Sequence, residues 1–428
     1  LAKGALVASI LAPLGFVAGC LCRVMTPAFI LPIMGTSWLL SARFNLPWGA
    51  TLFIITTASC LSHMGMWSRE SWSAWWISRG RQWRSAELAF GCLLLLIAGW
   101  GMSSLNPVRS SQLVFNAESY AAVAQGHDLQ TVERADRSRL VKVVSGSDHL
   151  WTLWRQRGCQ LLTRRNGIAV SLLTTDTGVC PQNMWPVLSS VVPLVIHPRA
   201  DHVLCVNPQG MAELDSLLSF PIQSLTCLTA EPAQQSVLQA QAELSGTEFR
   251  FQDGRVAWLT AAPSNYAATR PLQTFDVILV PDGSLTPSLN QPQLTNEFHA
   301  AMASRLNDGG LYCQRFSIVD FGADTLRDLL RSLENAFGQV AIVTTDGNEL
   351  IVLATRSTSP LIDAALVERL ETPHVRRLCA QMGADWSMLT QLTCITPEHV
   401  HEIAGESPPS NHVTTGKFTM RLAGDALR

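Results

Sequence analysis

Gly210 stands at the junction between a short apolar run and a helical stretch, where proteins with this order of elements contact their ligands. The run His202–Val206 has the pattern of a buried strand, and Gly210–Leu218 has that of a helix. A glycine-rich loop at such a junction lets backbone N–H groups approach a ligand closely. Here the junction is N-P-Q-G (207–210), with one glycine. The sequence therefore indicates either a reduced cofactor loop or a plain turn.

Strand-like runs alternate with helical stretches beyond residue 200. Runs of this continuous apolar type are typical of strands covered on both faces. We predict strands over His202–Val206, Ser224–Ala230, Glu248–Gln252, Phe275–Val280, Gly309–Phe316, Gln339–Thr345 and Glu349–Thr355, and helices over Gly210–Leu218, Pro232–Leu244, Leu294–Leu306 and Asp324–Phe337. This alternation predicts an α/β fold with a largely parallel, doubly wound sheet whose ligand crevice lies at the carboxyl ends of the strands. The Asp346-Gly347 turn predicts a final antiparallel pair.

A smaller antiparallel sheet is predicted before this region. Its strands are predicted over Arg139–Ser145, His149–Gln156, Cys159–Arg165 and Ile168–Thr174, with a hairpin turn at Asn166-Gly167, and a helix follows over Pro186–Ile196. We therefore divide the rest of the chain into a β-rich subdomain (106–198), a Rossmann-like domain (199–358) and a helical tail (359–428). We interpret the tail, with helices over Leu361–Leu370 and Pro373–Met382, as an interaction appendage.

Residues 1–105 have the pattern of three or four transmembrane helices. Four apolar runs occur there, and the first and last approach the roughly 18 to 20 residues that a bilayer requires; they are Leu6–Cys22, Ala28–Leu40, Pro47–Leu61 and Leu88–Met102. The two middle runs are short and contain Pro32 and Pro47, so a buried or re-entrant helix is the alternative for each. We expect these helices to be the end of a larger membrane domain, in preference to a secretory signal.

The Trp- and Arg-rich segment 67–87 is predicted to lie on the membrane surface, because indole rings prefer the headgroup level. Its four arginines favour the cytoplasmic side. With four spans, the chain after residue 106 would then lie on the opposite side. We predict a multi-pass protein of a bacterial inner membrane with its large domain in the cytoplasm, and leave the side open.

Composition argues against several classes of function. A net charge of −2 offers no basic surface for nucleic acid. The eleven cysteines form no C-x-x-C pair and no His/Cys metal spacing, so buried free thiols are expected and no metal site is predicted. The mean hydropathy of +0.18 is explained by the N-terminal runs.

Residues 113–356 resemble the spermidine synthase (aminopropyltransferase) family, in particular bacterial members fused behind membrane helices. The resemblance rests on the order of several segments: ESY at 118–120, VVPLVIHPRADHVLCV, FQDGRVAWL, FDVILVPDG and LTNEFHAAMASRLNDGGLYCQ. It implies a methyltransferase-type Rossmann sheet after a small antiparallel β domain. It also implies transfer of an aminopropyl group from decarboxylated S-adenosylmethionine to the amine of putrescine.

The resemblance assigns roles to four residues. Gly210 falls in the cofactor loop, Asp253 and Gly254 fall in the motif that binds the adenine amine, and Asp282 falls in the catalytic loop as the proton acceptor. A turn-capping aspartate is the alternative for Asp253, since Asp-Gly sequences favour turns.

Several positions depart from the family pattern. Pro208 removes an N–H from the cofactor loop, Thr229 stands in the place of the ribose carboxylate, and Glu231 matches only the second acid of that motif. Pro281 stands in the place of the catalytic aspartate, which displaces Asp282 by one residue, about 3.5 Å along the chain. Ser284 replaces the second acid of the loop.

Two hypotheses of different class follow. The first is a membrane-anchored, spermidine synthase-like transferase that acts on a polyamine. The second is a catalytically inactive pseudoenzyme that senses a nucleoside-like or polyamine ligand, or serves as a scaffold for a membrane partner. A small-molecule methyltransferase would also need the glycine loop. The lipid bilayer is the expected partner in both hypotheses, and homodimerisation is left open.

Overall fold

The computed structural model describes residues 125–126, 139–269, 273–281, 291–317, 322–344, 349–361 and 363–405. All of them belong to one compact unit, Ser111–Arg428. The predictions for the membrane helices, the surface segment 67–87, Asp282 and the Asp346-Gly347 turn lie outside the described residues. Within the described ranges, no helix combines the length and the apolar character that a bilayer crossing requires.

The small sheet has four antiparallel strands in sequence order, as predicted. They are β1 (Leu140–Ser145), β2 (Leu150–Gln156), β3 (Gln160–Arg165) and β4 (Ile168–Thr174). Asn166 and Gly167 join β3 to β4 with φ of 53° and 86°. Both values are positive, as a type I′ hairpin turn requires, and Asn and Gly are the residues that adopt them most readily. The hairpin prediction is confirmed.

The second sheet has eight strands. They are β5 (His202–Val206), β6 (Ser224–Thr229), β7 (Val256–Thr260), β8 (Phe275–Val280), β9 (Leu306–Ser317), β10 (Gln339–Thr344), β11 (Glu349–Thr355) and β12 (Thr393–Ile395). Their order is β12-β10-β11-β9-β8-β5-β6-β7. Strands β5 to β9 pair in parallel, and β11 is antiparallel to β9 and β10. Strands β6 and β7 lie on one side of β5, and the chain then crosses to β8 and β9 on the other side. The carboxyl ends of β5 and β8 therefore form a topological switch point.

Helices cover both faces of this sheet. They are α1 (Met184–Ile196), α2 (Met211–Leu218), α3 (Pro232–Ser245), α4 (Glu248–Phe251), α5 (Pro263–Ala268), α6 (Asn296–Ala303), α7 (Ala323–Phe337), α8 (Leu366–Leu370), α9 (Pro373–Gln381) and α10 (Pro397–Ala404), with 3₁₀ turns at Gln291–Leu294 and Trp386–Gln391. Two apolar cores result. One packs α1, α2, α3 and α9 against the sheet, and the other packs α6, α7 and α10.

The predicted strand over Glu248–Gln252 is wrong, because Glu248–Phe251 forms helix α4 and the strand is Val256–Thr260. The alternating pattern E-F-R-F-Q suggested a strand. Tertiary contacts favour a helical turn instead, since Phe251 stacks against Trp258 with ring centroids 4.9 Å apart and Arg250 pairs with Asp215 at 2.8 Å. The predicted helix over Leu294–Leu306 is shorter than expected, because β9 begins at Leu306.

The described part of the predicted tail is integrated into the Rossmann sheet. It supplies β12, which pairs antiparallel with β10, and α10, which packs on α7. Arg331 on α7 donates from Nε to the carbonyl of Ala404 at 2.6 Å. Arg369 on α8 donates to the carbonyls of Val195 and Ile196 at the end of α1, at 2.6 and 3.1 Å. Residues 363–405 therefore stabilise the domain from both faces.

Candidate cofactor crevice

The carboxyl edge of the parallel strands is where this type of sheet binds ligands. It is formed by the segments that follow four strands: Asn207–Gly210 after β5, Ala230–Glu231 after β6, Ala261–Ala262 after β7 and Pro281 after β8. Both Gly210 and the position that precedes Asp282 thus lie at this edge. The side chains and backbone groups of these segments determine what the edge can hold.

The loop after β5 is folded upon itself. Asn207 has a φ of 54°, its N–H donates to Leu228 O at 2.7 Å, and its Oδ1 accepts from Ala230 N at 3.1 Å, which ties β5 to β6. Gln209 is buried, and its side-chain amide donates back to Asn207 O at 2.7 Å. The backbone N–H of Gln209 donates to Glu213 Oε2 at 2.7 Å. A donor that a cofactor loop would offer to a ligand is therefore used by a carboxylate of α2.

Gly210 makes room for the small sheet. Its φ of −163° is an extended conformation that any residue adopts. A Cβ atom at this position would lie 2.0 Å from Ser171 Oγ on β4. The N–H of Met211 donates to Gln241 Oε1 at 3.0 Å, and Gln241 in turn donates to Thr163 Oγ1 on β3 at 2.5 Å. The glycine is thus required by packing between the two sheets.

Glu231, at the end of β6, is held by the turn between β1 and β2. Its Oε1 accepts from His149 Nδ1 at 2.9 Å and from Trp151 Nε1 at 2.6 Å, and Oε2 accepts from Ser147 Oγ at 3.4 Å. Burial of this carboxyl acts to raise its pKa, but the hydrogen bonds from His149 and Trp151 outweigh burial and hold the pKa below its ordinary value. A carboxylate with these three partners is committed to the contact between the two sheets.

Asp253 and Gly254 lie at the opposite edge of the sheet from Gly210. They precede β7, and β7 runs parallel to β6 and β5, so they stand at its amino end. Asp253 accepts from Arg255 Nε at 3.0 Å and from Arg255 Nη2 at 2.9 Å, and this pairing lowers the pKa of Asp253 to about 2. Arg255 also donates to Leu218 O at 3.0 Å. A Cβ on Gly254 would meet open space. At this amino edge the carboxylate of Asp253 pairs with Arg255, and the adenine contact stays a sequence-based prediction.

Two buried polar atoms at the carboxyl edge have no hydrogen-bond partner. They are Oε1 of Gln209 and Oγ1 of Thr229, the residue in the place of the ribose carboxylate. Unsatisfied buried polar groups are uncommon in folded proteins, because each carries a desolvation cost of about 1–3 kcal/mol. Neither side chain carries a charge, so neither can bind a ribose hydroxyl as strongly as a carboxylate would.

A second buried polar cluster, which no sequence pattern predicted, lies beside the carboxyl end of β8. His299 on α6 is fully buried, and its Nδ1 shares a hydrogen bond of 2.6 Å with Ser332 Oγ on α7. Burial lowers the pKa of His299 to about 4, so the imidazole is neutral near pH 7. Tyr312 donates to Gln314 Oε1 at 2.6 Å, and Gln314 pairs with Val280. In the sequence, the cluster is marked only by a few polar residues within otherwise apolar runs.

Among the described residues, no group of three His, Cys, Asp or Glu side chains is arranged to hold a metal ion. The seven described cysteines are free thiols. Burial raises the pKa of Cys205, Cys227 and Cys313 in the core well above the ordinary thiol value. These thiols are therefore protonated and unreactive at neutral pH.

The strand order and the antiparallel placement of β11 define a mixed α/β, Rossmann-like sheet of the methyltransferase type, as the sequence predicted. No family model matches the sequence, and neither does any curated protein. Solved structures are similar in chain trace. A spermidine synthase from Thermotoga maritima is 16% identical with a TM-score of 0.45, over 57% of this chain and 88% of that one.

Two further structures are similar to the same degree. A probable spermidine synthase from Corynebacterium glutamicum is 14% identical with a TM-score of 0.46, over 63% of this chain and 96% of that one. A spermidine synthase in complex with the transition state analogue AdoDATO is 16% identical with a TM-score of 0.43, over 57% and 87% of the two chains. At 14–16% identity, these structures do not assign a role to any residue of this chain.

Proposed function

We propose that this chain is a non-catalytic protein built on a methyltransferase-type Rossmann domain, and that its former cofactor edge now joins the domain to its own small sheet. The observation that carries the proposal is the use of the loop donors. The N–H groups of Gln209 and Met211 bond to Glu213 and Gln241, at the place where a cofactor loop offers its donors to a ligand.

The carboxyl edge does not fit decarboxylated S-adenosylmethionine as an aminopropyl transferase would bind it. Ser171 occupies the space beside Gly210 on the side where a Cβ would lie, and Glu231 accepts hydrogen bonds from His149 and Trp151. Thr229 supplies a hydroxyl where a carboxylate would make the stronger bond. Aminopropyl transfer would depend on Asp282, which stays a sequence-based prediction.

A second candidate function, that of a ligand sensor, is favoured by a separate observation. Gln209 Oε1 is a buried acceptor and Thr229 Oγ1 a buried hydroxyl, and neither has a partner. A small molecule with hydroxyl or amide groups, such as a nucleoside, that supplied a partner to either atom would stabilise the folded protein on binding. This function requires binding and no turnover.

Calorimetry on the full chain in detergent, with decarboxylated S-adenosylmethionine, S-adenosylmethionine, adenosine and putrescine, separates the candidates. We expect no aminopropylated product by mass spectrometry when the first compound and putrescine are incubated together. Saturable heat without product supports the sensor, and absence of heat supports the scaffold. Product formation would overturn the proposal. A spermidine synthase assayed in parallel confirms that the reagents are competent.

The variant Thr229→Val tests the sensor further, because valine has the shape of threonine without the hydroxyl. In the scaffold, loss of an unpartnered buried hydroxyl stabilises the fold by about 1 kcal/mol. In the sensor, the same variant weakens ligand binding. Thr226→Val, on the same strand and only partly buried, is the matched control.

Attachment to a membrane through residues 1–105 is part of the proposal. It rests on the four apolar runs of the sequence. Fractionation tests it: the full chain should stay in the membrane pellet after alkaline carbonate extraction. Release into the supernatant would contradict membrane insertion.

A further inference from the structure

Strand β7 forms one end of the eight-stranded sheet, and no described strand pairs with its outer side. Arg255 O accepts from Leu225 N at 2.8 Å, and Ala261 N donates to Thr229 O at 3.0 Å, so the odd-numbered residues face β6. Because backbone groups alternate along a strand, Trp258 and Thr260 direct their N–H and C=O groups outward. At residue 256 only the C=O is free, because its N–H donates to Asp253 O at 2.9 Å.

Apolar side chains lie on both faces of this open edge. Trp258 points toward α4, where it stacks on Phe251, while its neighbour Leu259 points to the opposite face. Phe249 on α4 is 64% exposed and Leu259 is 39% exposed. Natural proteins usually protect such an edge with charged residues or proline, but the sequence VAWLT of β7 contains neither. An edge of this kind is suited to extension by another strand.

Two arginines beside β7 are paired with aspartates of the same chain. Arg250 pairs with Asp215 at 2.8 Å, and Arg255 pairs with Asp253 at 2.9 Å. A second copy approaching this edge would therefore meet neither arginine as an unpaired charge. A strand with no charge of its own also offers little to select a foreign peptide.

We propose that β7 pairs antiparallel with β7 of a second copy, about a two-fold axis at Trp258, so that the two sheets become continuous. In this register Trp258 faces its counterpart and exchanges two hydrogen bonds with it. Thr260 N–H donates to the free carbonyl of Val256 in the other copy. Ala257 lies opposite Leu259, so a small side chain faces a large one on each side of the axis. This pairing goes beyond the proposed function and is independent of ligand binding.

The first experiment measures the mass of the full chain in detergent by light scattering across a concentration series. The wild type should form a dimer. Thr260→Pro removes an outward N–H without removing a bond to β6, and Leu259→Lys places a charge at the edge, so both should weaken dimerisation by about tenfold or more. Val143→Lys is the matched control, because Val143 is similarly exposed on β1, the edge strand of the other sheet.

The second experiment tests the register and does not depend on the stability of the edge variants. Ala257→Cys and Leu259→Cys are purified separately, mixed, and oxidised mildly beside the wild type. A disulfide should join one variant to the other, and each variant alone should crosslink far less. A chain that stays monomeric at every concentration, or a dimer that survives both edge variants and gives no mixed disulfide, would overturn the proposal.

Discussion

Gly210 packs directly against Ser171 of the other sheet: a Cβ on Gly210 would lie 2.0 Å from the Ser171 hydroxyl oxygen and 3.0 Å from Ser171 Cβ. Gly210 follows β5 of the Rossmann sheet, and Ser171 is in β4 of the small sheet. The space beside Gly210 on the side where a Cβ would lie is therefore occupied by a side chain of the small sheet.

Gly210→Ala should destabilise the protein by about 1–3 kcal/mol, because the added methyl group overlaps Ser171 in a closely packed contact. In the Ser171→Gly background, which removes the overlapping side chain, Gly210→Ala should cost much less than it does in the wild type. Urea denaturation of the four proteins gives the coupling energy. A coupling energy near zero would show that the contact does not explain the glycine. Gly254→Ala is the control, since a Cβ there meets nothing within 4 Å.

Glu231→Gln should cost about 2 kcal/mol, because the carboxylate accepts charge-assisted hydrogen bonds from His149 and Trp151. The folded-state pKa of Glu231 lies below its ordinary value of 4.5, so its stabilisation is complete above that value and is lost as the pH falls through the folded-state pKa. The difference in unfolding free energy between wild type and variant should shrink over that acidic range. Glu243→Gln, on an exposed face of α3, is the control for the loss of stability at neutral pH.

The strands could be predicted because their evidence is local. Continuous apolar runs located β5, β6 and β8, and with them the carboxyl edge and the position of Gly210. The contacts that fill this edge could not be predicted, because they join distant parts of the chain. His149 and Glu231 are 82 residues apart in sequence, and nothing in either segment identifies the other as its partner.

Asp253 illustrates a limit of short sequence motifs. Its Asp-Gly sequence matched a family landmark, but the landmark belongs after a strand, and here the strand follows. A one-turn helix stabilised by Phe251 on Trp258 reversed the local pattern, and with it the edge at which the aspartate lies. A motif of two residues does not determine the side of a sheet on which it falls.

Asp253→Asn should lower stability by about 1 kcal/mol, because it removes the charge that pairs with Arg255 and helps to hold the loop before β7. It should leave any calorimetric response to nucleosides unchanged, since Asp253 lies at the amino edge of the sheet. Calorimetry and thermal melts on the same preparation measure both effects. Loss of a ligand response with unchanged stability would restore the adenine-binding role that the sequence suggested.

His299 should make the fold sensitive to mild acid. Its pKa is about 4 in the folded protein, against an ordinary value of 6.5, so unfolding takes up a proton between these values. Stability should be complete above pH 6.5 and should fall by about 3 kcal/mol as the pH drops to 4. His299→Gln should flatten this part of the profile, whatever its effect at neutral pH. Urea unfolding at several pH values measures the slope, and an identical slope in wild type and His299→Gln would mean that this imidazole is not the group that titrates.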